Sequence, residues 1–420
     1  MTSEAHLKTL GKIVTLQTEK VIENKDRHMP YIGLEHIASD GFRLIGAAMS
    51  EASISVNSVF QKDDILFGKL RPNLRKSVRA PFSGYCSTDI LVLRSISGID
   101  PGFVSRIFQW DRVFDAAVAT AAGTKMPRTS WSDLKEFQVL IPESIKEQER
   151  IACVLDNVDD EISRTDALID KLKQIRTGLL HDLLTCGLDE NGKLRDPITN
   201  PQQFSKTSLG LLPKEWKISR LGLHATHLTS GSRGWASHYS REGSIFLRIG
   251  NLTREHINLR LDDLIRVRPP PGSEGERTRT QPQDILISIT ADLGIIGVIP
   301  DEFPEAFVNQ HIALVRPASD MVARWTSRFL AFGPAARHFR LLNDSGAKAG
   351  MSLPSVESLL IAIPSLEEQR EASRLLDELD DSITREERIT EKLISMKRGL
   401  VDDILTGRVR IPPDLLDANL

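Results

Sequence analysis

Disulfides, metal clusters, membrane spans and export signals are all poorly provided for in this sequence. The three cysteines, Cys86, Cys153 and Cys186, are scattered and without ligand-like spacing, which argues against a disulfide framework or a zinc site and leaves reduced thiols as the expectation. No apolar run approaches the roughly 20 residues that span a bilayer, so no membrane association is expected. The start, MTSEAHLKTLGK, has neither the basic end nor the apolar stretch of a signal peptide, and a cytoplasmic location is the expectation. A surplus of positive charge is also missing: 54 Lys and Arg against 57 Asp and Glu give a net charge of -3. Any affinity for nucleic acid must therefore come from where the charges stand.

Catalytic signatures are equally scarce. AAGTKMP at 121–127 has Gly and Lys without the spacing of a phosphate-cradling loop, and the second half offers only SGAKAGM. There is no glycine-rich dinucleotide fingerprint, no nucleophile elbow, and no Asn-Pro-Pro-aromatic stretch of a base methyltransferase. HATH supplies two imidazoles, His224 and His227, with no third ligand in register. His181-Asp182 resembles a metal-hydrolase dyad, but its counterpart in the second half is Asp402-Asp403. No catalytic residue, no metal and no cofactor bound by this chain is expected.

What the sequence does have is a repeat. LDNVDDEISR at 155–164 returns as LDELDDSITR at 376–385, and a shift of 221 positions aligns Gln148 with Gln369 and Gly178-Leu179 with Gly399-Leu400 without a gap. With small gaps the match extends upstream. GTK at 123–125 answers GAK at 346–348, FQVLIP answers LLIAIP, KDDIL answers PQDIL, STDILVLR answers NQHIALVR, and TLGK answers RLGL. The chain is a tandem duplication, each half a variable stretch of about 140 to 160 residues followed by a kept segment of about 40.

The kept segments read as long helices. Ser144 stands three residues before Glu147, and Ser365 three before Glu368, each just after a proline, the pattern of a capping box. Apolar residues then follow in 4-3 steps, the spacing of a narrow seam facing another helix. At ~1.5 Å per residue such a rod is about 60 Å long, and its natural partner is its own repeat, packed antiparallel. The expected interface is Leu155, Val158, Ile162, Leu172 and Leu179 against Leu376, Leu379, Ile383, Leu393 and Leu400, with Ile169, Ile175, Ile389 and Met396 in the same pattern. Thr165, Glu386 and Thr390 interrupt it.

The fold expected is mixed α/β (α+β): two similar globular domains separated by two long antiparallel helices that form a coiled-coil spacer, with pseudo-two-fold internal symmetry. The boundaries are 1–142 for the first domain, 143–186 for the central helix, 187–212 for a linker, 213–364 for the second domain, 365–407 for the C-terminal helix and 408–420 for a tail. DENG within the linker reads as a turn, since the other ligand positions of a calcium loop are missing.

The variable stretches carry the binding signal. DDILFGKLRPNLRKSVRAPF places Lys69, Arg71, Asn73, Arg75, Lys76 and Arg79 straight after a strand-like run, a plausible reader of phosphates and bases; a solvated basic loop is the competing reading. The matching stretch of the second half, DILISITADLGIIGV, has Ser288, Thr290 and Asp292 in their place. Arg233, Arg248 and Asn251 have groups suited to base edges or phosphates. Two like scaffolds with unlike tips, held by a helical pair, suit a split target with an unread spacer.

The two kept segments, IPESIKEQERIACVLDNVDDEISRTDALIDKLKQIRTGLLHDLLT and IPSLEEQREASRLLDELDDSITREERITEKLISMKRGLVDDILTGRVRI, resemble the central and C-terminal conserved regions of specificity subunits of type I restriction-modification systems. DILFGKLRP, YIGLEHI and LGLLPKEW are phrases of that family too, and the resemblance covers nearly the whole chain. It implies a non-catalytic subunit with two target recognition domains, each reading one half of an asymmetric, interrupted site in double-stranded DNA. It further implies docking of two modification (methyltransferase) subunits, which bring S-adenosylmethionine, and of two restriction (translocase and nuclease) subunits, which use ATP and Mg. On this reading Asp156, Asp159, Asp160, Asp377, Asp380 and Asp381 lie on exposed helix faces, solvated or docking the modification subunits. The rivals are an orphan or regulatory specificity-like protein, a self-contained nuclease or methyltransferase, and a coiled-coil scaffold without sequence readout.

Overall fold

The computed structural model describes residues 5–21, 29–39, 42–49, 56–231, 233–269, 272–344 and 350–412. GAK at 346–348 and the end of the tail lie outside them. The chain divides into two compact units, one made of Met1–Ala167 with Glu387–Leu420, the other of Leu168–Glu386. This division does not set the helices apart as 143–186 and 365–407: each unit is completed by half of each long helix.

The first unit is built on an antiparallel sheet of β1 (Val14–Gln17), β2 (Ile65–Gly68), β3 (Ser77–Arg79) and β4 (Ile90–Ser95), in the order β1-β4-β2-β3. The middle strands read as unbroken apolar runs because both faces are covered. The period of two sends Leu91 and Leu93 of β4 toward Phe67, Phe103 and Phe108, and Ile90 and Val92 toward Ile32 and Phe60. Helix α1 (Pro101–Ile107) starts at Asp100, whose carboxylate accepts the Phe103 N–H at 2.7 Å, and α2 (Asp111–Ala119) follows it. A five-stranded sheet and the pair Ala5–Thr9 with Gln138–Pro142 complete the unit.

The second unit repeats the plan with β5 (Ala225–Ser230), β6 (Ile285–Ser288), β7 (Ile296–Val298) and β8 (Ile312–Pro317), ordered β5-β8-β6-β7. Helix α3 (Ala323–Ala331) takes the place of α1. The KDDIL and PQDIL phrases form the same turn. Asp63 and Gln283 are left-handed at φ 70° and 64°, and the next residue, Asp64 or Asp284, is buried. These carboxylates accept backbone N–H groups of Gln61 and Gln281 at 2.7 Å and both arms of Arg94 and Arg316 at 2.7 to 2.9 Å.

The central helix runs over Ile145–Thr185 and the C-terminal helix over Leu366–Leu405. In the first unit their segments are antiparallel: Lys397 meets Asp159, while Glu147 and Ile151 line one pocket with Ile404 and Thr406. In the second, Arg176 meets Asp380 while the Leu188 N–H donates to Glu368 at 2.8 Å. Leu155, Leu376 and Ile383 are buried; Val158, Ile162, Leu172, Leu179, Leu379, Leu393 and Leu400 are half-buried. Ile175, Ile389 and Met396 depart from the expected seam and are exposed, at 47%, 41% and 59%. A period of 3.6 drifts against a seven-residue repeat, and at two of these places the next residue, Arg176 or Lys397, turns inward instead. Thr165 and Thr390 are both buried.

The segment 187–212 is not a loose connector. DENG forms a turn in which Asp189 accepts the N–H groups of Asn191 and Lys193. The segment then enters a hairpin, Phe204–Thr207 with Gly210–Pro213, and puts Leu188 and Leu212 into the core of the second unit. Glu368 ties it down, accepting from Leu188, from Arg195 at 2.6 Å and from the Trp216 ring at 3.2 Å. Apolar residues among the turn formers carry this packing.

Candidate nucleic-acid interface

The basic loop leaves the end of β2 and closes on one tight turn. Arg71 and Arg75, both at φ 50°, bracket the single turn Pro72–Leu74. Left-handed backbone is rare outside glycine and is kept only where the surroundings impose it. Here Arg71 donates its N–H to the Pro127 carbonyl at 2.7 Å, and Thr129 donates to that of Lys69 at 3.1 Å. Arg71 and Asn73 are exposed and Lys69 is half-buried; none of the three forms an ion pair with another described residue.

In the second unit the loop after β6 makes the same departure, with Ala291 left-handed at φ 63° and Met351 donating to the Ile289 carbonyl at 2.8 Å. The scaffold is shared and the tips differ.

Several residues with chemistry fit for DNA are spent on the fold instead. Arg75 pairs with Asp111 and, at 3.5 Å, Asp115 of α2. Lys76 donates to the Leu34 carbonyl at 2.6 Å. Asn251 is 2% exposed; its oxygen accepts the Arg248 N–H at 2.9 Å and its nitrogen donates to the carbonyls of Arg260 and Asp263. No group of Asn251 is left for a base edge, so it is a turn residue. Arg248 is tied to Asp263 at 3.0 Å, and Asp292 holds Arg254. Thr290 shares a 2.6 Å hydrogen bond with His311, while Arg233 is exposed. The exposed or partly exposed tips are thus Lys69, Arg71 and Asn73 in the first unit and Arg233 and the 290–292 loop in the second.

His224 is buried with both ring nitrogens engaged, by Asp320 at 2.7 Å and Ser219 at 2.8 Å, and His227 faces the Arg277 carbonyl at 3.1 Å. His224 is therefore structural. Asp402 of the Asp402-Asp403 pair accepts from the Trp110 ring at 3.1 Å, Arg112 at 2.9 Å and Arg408 at 2.7 Å. Burial alone would raise its carboxyl, but the hydrogen bonds from Arg112 and Trp110 and the nearby charges hold it below the ordinary carboxylate value.

The acidic phrase corrects an expectation. Asp156 and Asp159 are not merely solvated: both pair with Arg106 of α1, which is 6% exposed and also donates to Gln109 at 2.8 Å. In the second unit Asp377 and Asp380 pair with Arg328 of α3, which is fully buried, and Asp377 also takes Arg324 at 2.7 Å. Asp160 and Asp381 alone of the six are exposed. The signal was a Ser-Arg pair, 105–106 and 327–328, about fifty residues before each acidic phrase. Lys397 reaches Asp159 from the facing helix and lies over the Phe42 ring at 5.2 Å. Burial pulls its ammonium below the usual lysine value, and Asp159 opposes that pull.

Among the described residues no helix is long and apolar enough to cross a membrane. The family model described as "Type I restriction modification DNA specificity domain" matches residues 6–174 and 275–394, more than half of the chain. Two curated relatives from Methanocaldococcus jannaschii are similar: one provisionally named type I restriction enzyme MjaX specificity subunit, 23% identical over 67% of this chain, and the type I restriction enzyme MjaVIII specificity subunit, 20% identical over 69%. The chain spans 61% and 66% of their lengths. The fold is similar to that of a type-I restriction-modification system S subunit from M. genitalium, with a TM-score of 0.61 at 16% identity over 96% of both chains.

Proposed function

The chain belongs to the type I restriction modification DNA specificity domain family, and from that premise we propose that it is the DNA-reading subunit of a type I restriction-modification complex. Each unit reads one half of a split, asymmetric target, and the long helices set the gap. The observation that carries this reading is the shared left-handed departure after β2 and β6, at Arg71 and Ala291, bearing basic tips in one unit and polar ones in the other.

On this reading the chain performs no chemistry itself and acts in the cytoplasm. Two modification subunits bring S-adenosylmethionine, and two restriction subunits use ATP and Mg. With a net charge of -3, the chain alone binds DNA weakly, because phosphate neutralisation needs cations that partner subunits supply. Selection from a random duplex pool, by the chain assembled with the modification subunit encoded beside it, tests the reading. A bipartite motif with one fixed gap is expected; enrichment of no motif contradicts it and favours a scaffold without readout.

A further inference from the structure

The strongest feature left unused is a pair of ionic nodes, one in each unit, at matching places, the second buried around Arg328 and Asp380 and the first partly exposed at Asp156 and Asp159. In the first, the Asp159 carboxylate is shared by Arg106 of α1 and by Lys397 of the C-terminal helix, with Asp156 also on Arg106. In the second, Asp380 is shared by Arg328 of α3 at 2.8 Å and by Arg176 of the central helix, with Asp377 also on Arg328. Lys397 and Arg176 are 221 positions apart, as are Asp380 and Asp159. Each carboxylate therefore joins three elements of its unit: the short helix of the sheet domain, the helix that carries it and the helix that faces it.

Such a node specifies what an apolar seam leaves open. Leucine-type side chains tolerate a slip of one helix along the other, because one apolar contact replaces another. A largely enclosed cation moved off its carboxylate is left uncompensated, while the carboxylate keeps its other arginine; polar residues inside helical seams fix register in this way. Both cations take the inward position that Ile175 and Met396 leave, and each is held over an aromatic ring, Arg176 over Phe332 and Lys397 over Phe42, at 5.2 Å.

We propose that the Asp159–Lys397 and Asp380–Arg176 nodes are positioning elements that lock the register of the long helices, and through it the gap length the protein accepts between half-sites. This rests on the reading given above, in which the helices set the gap.

The test uses the assembled complex and duplexes carrying the selected motif with gaps from two base pairs shorter to two longer. For Lys397→Met, discrimination against the wrong gaps should fall about tenfold, the scale of a lost register contact, and Lys397→Arg, which copies the Arg176 node, should restore it. Arg176→Met and Lys397→Gln are read in the same way, so a folding failure in one variant leaves the others. Lys392→Met, on an exposed position of the same helix, should leave discrimination intact. Folded node variants with wild-type gap preference would overturn the inference alone, as would equal relaxation by Lys392→Met. A wild-type complex with no preferred gap would overturn both the inference and the functional reading beneath it.

Discussion

Gln148 and Gln369, 221 residues apart, make the same clamp. The Gln148 oxygen accepts the Asp100 N–H at 2.8 Å and its nitrogen donates to the Pro142 carbonyl at 2.8 Å. Gln369 accepts the Val322 N–H at 2.8 Å and donates to Pro364 at 3.0 Å. Each fastens the start of a long helix to the start of a short one. Because these amides are buried, Gln148→Ala and Gln369→Ala should each cost roughly 1 to 3 kcal/mol in urea unfolding. Losses near zero in both would show that the clamp follows the packing without supporting it.

In the basic loop Arg75 and Lys76 are engaged by the fold, and Lys69 and Arg71 are the residues proposed to touch DNA. Lys69→Ala and Arg71→Ala should leave thermal stability unchanged and weaken binding at the first half-site only, by about 1 to 3 kcal/mol where a residue makes a bidentate base contact. Asn251→Ala should do the reverse at first hand, lowering the melting temperature through three lost hydrogen bonds. Binding measured against duplexes altered in one half-site at a time decides the matter. Equal loss at both halves removes Lys69 and Arg71 from the interface.

Thiol chemistry should divide the cysteines. Burial, helped by the nearby Asp64 charge, pushes the Cys86 thiol up to about 12, whereas Cys153 is exposed. Since the thiolate is the reactive form, an alkylating reagent at pH 8 should label Cys153 quickly and Cys86 only in denaturant. Rapid labelling of Cys86 in the folded protein would contradict its placement.

Asp402 predicts an acid-side loss of stability. A carboxyl held below its ordinary value of 3.8 favours the folded state while ionised, so its contribution is fully present above about pH 4 and is lost as pH falls through the folded value. The gap in melting temperature between the wild type and Asp402→Asn should be wider at pH 7 than at pH 2.5. An equal gap at both would show that the contacts to Arg112 and Trp110 do not depend on its charge.

Much of this was legible because it is local. Ser365 does accept the Glu368 N–H, at 3.2 Å, but the Glu368 carboxylate turns to Leu188, Arg195 and Trp216 instead of closing a capping box, and at the first helix the Glu147 N–H bonds the Ser144 backbone carbonyl; proline and the 4-3 spacing mark where both long helices begin. Which face Leu91 and Val92 turn to was not readable, because ILVL is apolar throughout and both of its faces are covered. Arg106 and Arg328 escaped because their partners lie about fifty residues away and the offset between them differs by one from that of the helices. Asn251 misled because an amide that suits an adenine edge suits two backbone carbonyls equally well. Ile175 and Met396 misled because apolar spacing does not reveal that a cation one position on is the residue turned inward.

The most direct test of the central claim is to express this chain with its adjacent modification subunit and map methylated bases across a host genome by single-molecule sequencing. A single split motif with one fixed gap is the result this account predicts. A stable complex that leaves no motif, or an uninterrupted one, would contradict it.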